Sequence, residues 1–450
     1  MDNILLINLS GYENKEAKAS ERIEYNPPFG LLSIATYIEL HGYSPVLIDL
    51  RYDSLSFNSI KEIIREKKPI LVGFCAFTIN VDKALLLARN IKAAFKDIKI
   101  LMGGPHATVQ PEYIARHRFV DFIVMKEGEA TFLEVCEAIV SNEKTIRFED
   151  IPGLFFRRDE KIFKNNLRKP MEDLDLMPLV KRELVGTEKF GYMVYIITSR
   201  GCPNNCIYCA CPVIAGARYR TRDIDNVFLE IIDIKHILKE KFKLIYFIDD
   251  TFTVLKERVE LFSSLNRKYN LNLMWRCESR VDVISKEMLH KMSQGGCIAI
   301  HYGIESGSDY VLEKIHKNIT LSQAENAIML AHDSGILVCL YLMLGHYCDT
   351  QEYMQDTIDF VKRMAEEYRA DVSINYNTPY PGTWQYTHMD RLGMRLVSNK
   401  YEDFACYKPI VETDNFSIKD QYEYYYRILP YLNKYNFGME GFGKIHKDNN

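Results

Sequence analysis

The stretch SRGCPNNCIYCACP, Ser199–Pro212, sets four cysteines within ten residues, while the other seven of the chain's 11 are scattered. Sulfur at that density serves a disulfide staple, a zinc site or an iron–sulfur cluster. An odd cysteine count without an extracellular cue points to a reducing cytoplasm and argues against the staple. A zinc knuckle wants four ligands, usually as two pairs. Cys202, Cys206 and Cys209 form C-x3-C-x2-C, and Cys211 follows too closely to complete a tetrahedron comfortably. No second pair lies nearby, although zinc stays open on spacing alone. Three thiolates on one loop suit a [4Fe–4S] cube with one iron left free for another molecule. Gly201 and Pro203 let the backbone approach the sulfides.

The cysteine loop follows an apolar run, YMVYIITS, of strand type. Further runs read as strands at KLIYFIDD, LNLMWRCES, CIAIHYGIES, GILVCLYLMLG and DVSINYNTPY, with helical segments between them. About six βα units are fewer than the eight of a closed barrel, so a partial (β/α)6 TIM-like barrel is expected, with its chemistry at the strands' carboxyl ends.

Upstream, strand and helix alternate from NILLINL to EATFLEVCEAIV. The helix PFGLLSIATYIEL carries its apolar stripe on Leu31, Ile34, Ala35 and Ile38, and Gly42 stops it. This alternation predicts a Rossmann-like, doubly wound parallel sheet with ligands at the carboxyl edge. GLFFRRDEKIFKN reads as a hairpin turning at Asp159–Glu160, followed by a proline-broken acidic stretch. The expected division is 1–140, a sheet domain; 141–190, a linker with hairpin; 191–385, the partial barrel; and 386–450, a mainly helical region ending in the polar, frayed KIHKDNN.

A net charge of -4 without a long Lys/Arg run suggests no nucleic-acid partner. The first residues carry an acid and no basic n-region, so no secretory signal is expected, and no apolar run is long enough for a membrane span. A cytoplasmic location is expected.

C-x3-C-x2-C with Tyr208 before its third cysteine resembles the radical S-adenosylmethionine (SAM) superfamily. YFIDDTFT, Tyr246–Thr253, and HYGIESGS, His301–Ser308, fall at the later strand ends that this family uses. The resemblance implies a [4Fe–4S] cluster on Cys202, Cys206 and Cys209. Its open iron would hold SAM, and cleavage of SAM would yield a 5′-deoxyadenosyl radical. Asp249 and Asp250 would meet the ammonium or hydroxyl groups of SAM, and Arg280 its carboxylate. Glu305 and Ser306 would lie near its methionine or ribose. The plain alternative for these polar residues is a cap or a strand-end salt bridge. Where relatives carry Gly-x-Pro-Gly-Glu-Thr, this sequence has GHYCDT, Gly345–Thr350, which puts adenine contacts there in doubt.

The first domain lacks G-x-G-x-x-G after its first strand, so a nicotinamide reading is poor. NPPFGLLSIA, GFCAFT, GGPHATVQPE and KEGEATF, at the successive loops, resemble the cobalamin-binding domain that precedes one large radical SAM subfamily. The resemblance places Phe74, Cys75, Ala76, Phe77 and Thr78 near the lower face of cobalamin. Gly103, Gly104 and Thr108 would line its nucleotide tail, and Gly128, Glu129 and Thr131, at the start of the last helix, would also contact cobalamin. The Asp-x-His-x-x-Gly of other cobalamin domains is replaced by DLRYDS, so no such histidine ligates cobalt. His106 is expected to make a hydrogen bond to the cobalamin tail or a plain loop contact rather than bind cobalt. The plain alternative is a flavodoxin-like domain that has lost its ligand.

Together these imply C-methylation of an unactivated carbon by a radical SAM, cobalamin-dependent methyltransferase. Radical cyclisation or rearrangement, methylation at phosphorus or sp2 carbon, and a non-catalytic sensor are the alternatives. The expected partners are a small-molecule or peptide substrate and an external electron donor of flavodoxin or ferredoxin type. Tyr386, Tyr401, Tyr407 and Tyr424–Tyr426 either wall the open side of the barrel or pack on it.

Overall fold

The computed structural model describes residues 1–9 and 25–432 and divides into two compact units. KIHKDNN and the end of the tyrosine-rich run lie outside the described residues.

The first unit comprises Met1–Gly191, Val213–Gly216 and Arg220–Lys241. Its first five strands are β1 (Asn3–Asn8), β2 (Ser44–Asp49), β3 (Leu71–Cys75), β4 (Lys99–Gly103) and β5 (Phe122–Val124). The expected hairpin supplies β6 (Leu154–Arg158) and β7 (Lys161–Lys164), and Asp159 takes a positive φ of 54° at its turn. The sheet order is β2-β1-β3-β4-β5-β6-β7. The first five strands run parallel, and the hairpin continues the sheet antiparallel. Ile4–Ile7 are buried on both sides of β1, as a strand covered by helices on two faces must be. On one face the helix Phe29–Leu40 sets Leu31, Ala35 and Ile38 into the same core as Phe132, Val135 and Cys136 of the helix Glu129–Ser141. The order reverses between β1 and β3, which opens a crevice at their carboxyl ends. In this unit Arg182 is buried against Glu230 at 2.7 Å.

The second unit comprises Tyr192–Pro212, Ala217–Tyr219 and everything from Phe242 onward. Its sheet contains β8 (Met193–Ile196), then β11 (Leu244–Phe247), β12 (Met274–Ser279), β13 (Cys297–Glu305), β14 (Leu337–Leu344) and β15 (Asp371–Tyr376); the two-residue strands β9 (Ser199–Arg200) and β10 (Arg220–Thr221) fall between β8 and β11 in sequence. The six pair in sequence order, all parallel, with β8 and β15 at the two ends. This is the expected partial barrel. On β12, Trp275, Cys277 and Ser279 are buried, while Met274, Arg276 and Glu278 on the opposite face are half-buried. Trp275 donates its indole N–H to Gly295 O at 2.8 Å and lies edge-on to Phe247, Phe252 and Phe262. Toward the C-terminus, the helix Ile418–Ile428 buries Tyr424, whose hydroxyl donates to Gln351 O at 2.9 Å, while Tyr407 and Tyr426 are exposed. Among the described residues, no helix is long and apolar enough to cross a membrane.

Trp275→Ala would remove the centre of this aromatic nest and is expected to cost about 3–5 kcal/mol in chemical denaturation.

Candidate functional site

Asp249 follows β11 and is 1% exposed. Its carboxylate accepts the Thr198 amide at 2.6 Å, the Ser199 amide at 2.8 Å and the Thr198 hydroxyl. Burial raises this carboxyl above its ordinary range, and the Arg258 charge and the Thr198 and Ser199 bonds pull it back. The start of the cysteine loop is thus tied to the neighbouring strand end. Gly201, with φ +85°, then turns the backbone into Cys202. Cys209 N donates to Cys206 O at 3.1 Å and closes the loop.

Two sulfurs of the trio accept N–H bonds. Asn204 Nδ2 donates to Cys202 Sγ at 3.3 Å, and Cys211 N donates to Cys209 Sγ at 3.4 Å. Burial, with the charges of Cys206 and Cys202, pushes the Cys209 thiol up to about 12 despite the Cys211 amide. Such thiols need a strong cation to ionise, and iron supplies one. Among the described residues, no group of three or more His, Cys, Asp or Glu side chains is gathered to hold one metal ion. Three thiols carried on one loop, two of them accepting N–H bonds, are donors of the kind that separate irons of a cube take up. The donors fit a [4Fe–4S] cluster. Cys211 turns away from this set and donates its thiol to Asp250 Oδ2 at 3.0 Å.

The other candidates of this unit are already engaged. Arg280 is buried and forks onto Asp282 at 2.9 and 3.0 Å, and it also donates to Lys317 O at 2.8 Å. Glu305 takes a φ of +75°, a left-handed conformation unusual for a side chain of its size, and pairs with Lys317 Nζ at 2.8 Å. Ser306 Oγ is 3.4 Å from Thr357 Oγ1 and accepts the Ser308 amide at 3.3 Å. These contacts have the form of strand-end bridges and caps. They nevertheless lie near the cysteine loop: the charges of Cys206 and Tyr208 act on Arg280, and Glu305 acts on Tyr208. Sequence reasoning missed Lys317, which lies beyond any motif. It also missed His346, fully buried with its ring 5.7 Å from that of Tyr208 and without a side-chain hydrogen-bond partner at either nitrogen. The GHYCDT departure was its one signal. In that turn Asp349 Oδ2 accepts the amides of Gly345 and His346.

In the first unit the loop candidates divide sharply. Phe74, Ala76, His106 and Thr131 are fully buried, and Phe77 is 46% exposed. Gly104 has φ +97°, and a Cβ there would stand 2.9 Å from Cys75 Sγ and 3.0 Å from Ala76 O, so only glycine fits. Gly103 is looser, whereas Gly128 is pressed between Ile34 and Val124. His106 donates its amide to Ala76 O, and its Nδ1 lies 3.2 Å from Thr78 Oγ1. Burial holds this imidazole down at about 4, hence neutral. Thr108 Oγ1 donates to Gly104 O and accepts the Lys126 amide. Glu129 accepts Ser33 Oγ at 2.8 Å. Thr131 donates to Pro152 O and accepts from Arg168 Nε, both at 2.8 Å. Asp49 of DLRYDS is an internal brace, accepting from Asn8, Tyr25 and Arg51. The half-buried Cys75 and the exposed Phe77 ring remain at the carboxyl edge as surface for a planar macrocycle, and in this respect the loops fit cobalamin.

Asp249→Ala would leave three buried donors without an acceptor. It is expected to cost about 3 kcal/mol and to lower iron bound per protein molecule after reconstitution, read by denaturation and iron assay.

Residues 196–361 match the radical SAM superfamily, and residues 21–136 match the B12 binding domain. The chain is 30% identical over 400 residues to an uncharacterized methyltransferase of Pyrococcus horikoshii, covering 87% of this chain and 84% of that one. It is 26% identical to the anaerobic magnesium-protoporphyrin IX monomethyl ester cyclase of Rubrivivax gelatinosus, covering 86% and 70%. Its fold matches the radical SAM methyltransferase TsrM of Kitasatospora setae, solved with cobalamin and a [4Fe–4S] cluster, at a TM-score of 0.73 and 15% identity, covering 96% and 89%. Three thiols on a loop locked to a parallel strand end, in a protein with a B12-type sheet, agree with both matches: the chain belongs to the radical SAM superfamily, in the branch with an N-terminal B12 binding domain that includes the cobalamin-dependent radical SAM methyltransferases.

Proposed function

We propose that the protein methylates an unactivated carbon of its substrate, with residues 1–140 holding cobalamin and residues 191–385 holding the cluster and SAM. The single observation that carries the reading is the trio Cys202, Cys206 and Cys209 on a loop fixed by Asp249, with Cys211 bonded elsewhere. When bound, the reduced cluster supplies the electron that cleaves SAM, and cobalamin supplies a methyl group. The protein's own part is to hold and orient. Asp249 keeps the loop in place, and N–H donors from Asn204 and Cys211 stabilise negative charge on sulfur. Arg280 and Lys317 add positive charge near Cys206 and Tyr208, suited to the carboxylate of SAM if Asp282 or Glu305 yields its place. Phe77 offers its exposed ring to the corrin, while His106 stays an internal hydrogen-bonding group. An electron donor of flavodoxin or ferredoxin type would serve the cluster.

Radical cyclisation is the second reading, favoured by the 26% identical cyclase. Anaerobically reconstituted protein with SAM, cobalamin and a reductant is expected to form 5′-deoxyadenosine, and S-adenosylhomocysteine with methylcobalamin if it is the methylase. Deoxyadenosine without S-adenosylhomocysteine selects the cyclase, and absence of both rejects a radical enzyme. Cys206→Ala is expected to lose iron and deoxyadenosine while still binding cobalamin. Bound cob(II)alamin is expected to show no histidine nitrogen splitting in its electron paramagnetic resonance, with an unchanged spectrum in His106→Ala.

A further inference from the structure

One face of the barrel sheet is packed with apolar side chains, and the other carries a built polar tier. At the amino end of that second face, Met193, Leu244 and Met274 stand in register as an apolar plug. One step further along the strands, Tyr195, Tyr246 and Arg276 are cross-strand neighbours. The Arg276 guanidinium lies over the Tyr246 ring at 4.0 Å. Glu278 and His301 form the next register pair. Glu278 Oε1 accepts the hydroxyls of Tyr246 and Tyr341, the latter at 3.2 Å, and Tyr341 OH is 3.0 Å from His301 Nδ1. This network is fixed by mutual bonds.

Arg276 stands apart within it. Arg51, Arg168, Arg182, Arg220, Arg222 and Arg280 all pair with carboxylates. Among the described residues none gives the Arg276 guanidinium a hydrogen bond or an ion pair, and its Nε is buried without a partner. His301, 6% exposed, likewise leaves Nε2 without a partner. Glu278 sits nearby, but burial holds its carboxyl up at about 7, so its charge compensates only in part. Arg276 is half-buried, its Nε is shut away from water without an acceptor, and the N–H fork of a guanidinium matches an oxyanion edge. The stacked Tyr246 fixes the plane of that fork.

We propose that this face holds a substrate-anion subsite, in which Arg276, set on Tyr246 and framed by Glu278, Tyr341 and His301, binds a carboxylate or phosphoryl group of the substrate. The substrate class is therefore an oxyanion-bearing molecule whose remainder meets an aromatic wall of Tyr195, Tyr246 and Tyr341. The inference rests on the enzymatic reading above and assigns it a recognition element.

The test is arginine footprinting of the reconstituted holoenzyme with p-hydroxyphenylglyoxal, read peptide by peptide by mass spectrometry. Benzoate, phenylphosphonate and neutral benzamide serve as probes. Arg276 is expected to label, and saturating benzoate or phenylphosphonate to slow its labelling at least about fivefold while benzamide does not. Stronger protection by phenylphosphonate identifies the phosphoryl source, and stronger protection by benzoate the carboxylate. Equal protection by benzamide, or no protection by either anion, overturns the subsite. Deoxyadenosine formation by the same preparation is measured separately. If it forms without anion protection, this inference fails and the radical reading stands; if it does not form, the parent reading fails whatever the footprint shows.

Discussion

The second unit depends on a carboxylate that never reaches the surface. Asp249 ends one barrel strand and takes its hydrogen bonds from the backbone that leaves the next strand. Those bonds tie the entry of the cysteine loop to the sheet. A loop of this length would otherwise sample many shapes, and ordering it costs roughly 1–2 kcal/mol per residue in backbone entropy. Fastening its first residues to a rigid strand end removes much of that freedom before any iron arrives. Preorganisation of this kind separates a binding site from a set of cysteines that merely lie close in sequence.

Much of the architecture was legible because it rests on periodicity. Apolar runs such as Ile4–Ile7 and the stripe of Leu31, Ala35 and Ile38 follow directly from strand and helix repeats. The cysteine trio was legible because its ligands are local in sequence. Roles that depend on which long-range partner a polar side chain meets were not. Asp249 was placed at the right strand end, but its bonds to Thr198 and Ser199 arise only once two strands lie side by side. Arg280 has the chemistry to take a carboxylate, and in the fold it holds Asp282, two residues away. Lys317 sits on a connection without a motif, yet it meets both Glu305 and Arg280. In the first unit Glu129 and Thr131 stand out in sequence for their chemistry, and in the fold they meet Ser33, Pro152 and Arg168.

Both units bury charged side chains. In the first, Asp49 pairs with Arg51, Arg182 with Glu230, and Arg220 with Glu127. Such pairs contribute little net stability against apolar replacements, but they punish the loss of either partner and so fix one arrangement of loops. In the second, the inner sheet face keeps Arg276 and His301 incompletely satisfied. A fold seldom tolerates buried groups left so unless something else completes them.

The hydrogen bond from Cys211 to Asp250 has a consequence for what the loop can become. Four thiolates would close a cube on every side and leave it fit only to relay electrons. A thiol that keeps its proton and donates it to a neighbouring carboxylate competes poorly for the last iron. One oxygen atom, placed at the end of a strand, thus helps preserve the asymmetry on which reactivity at that corner depends.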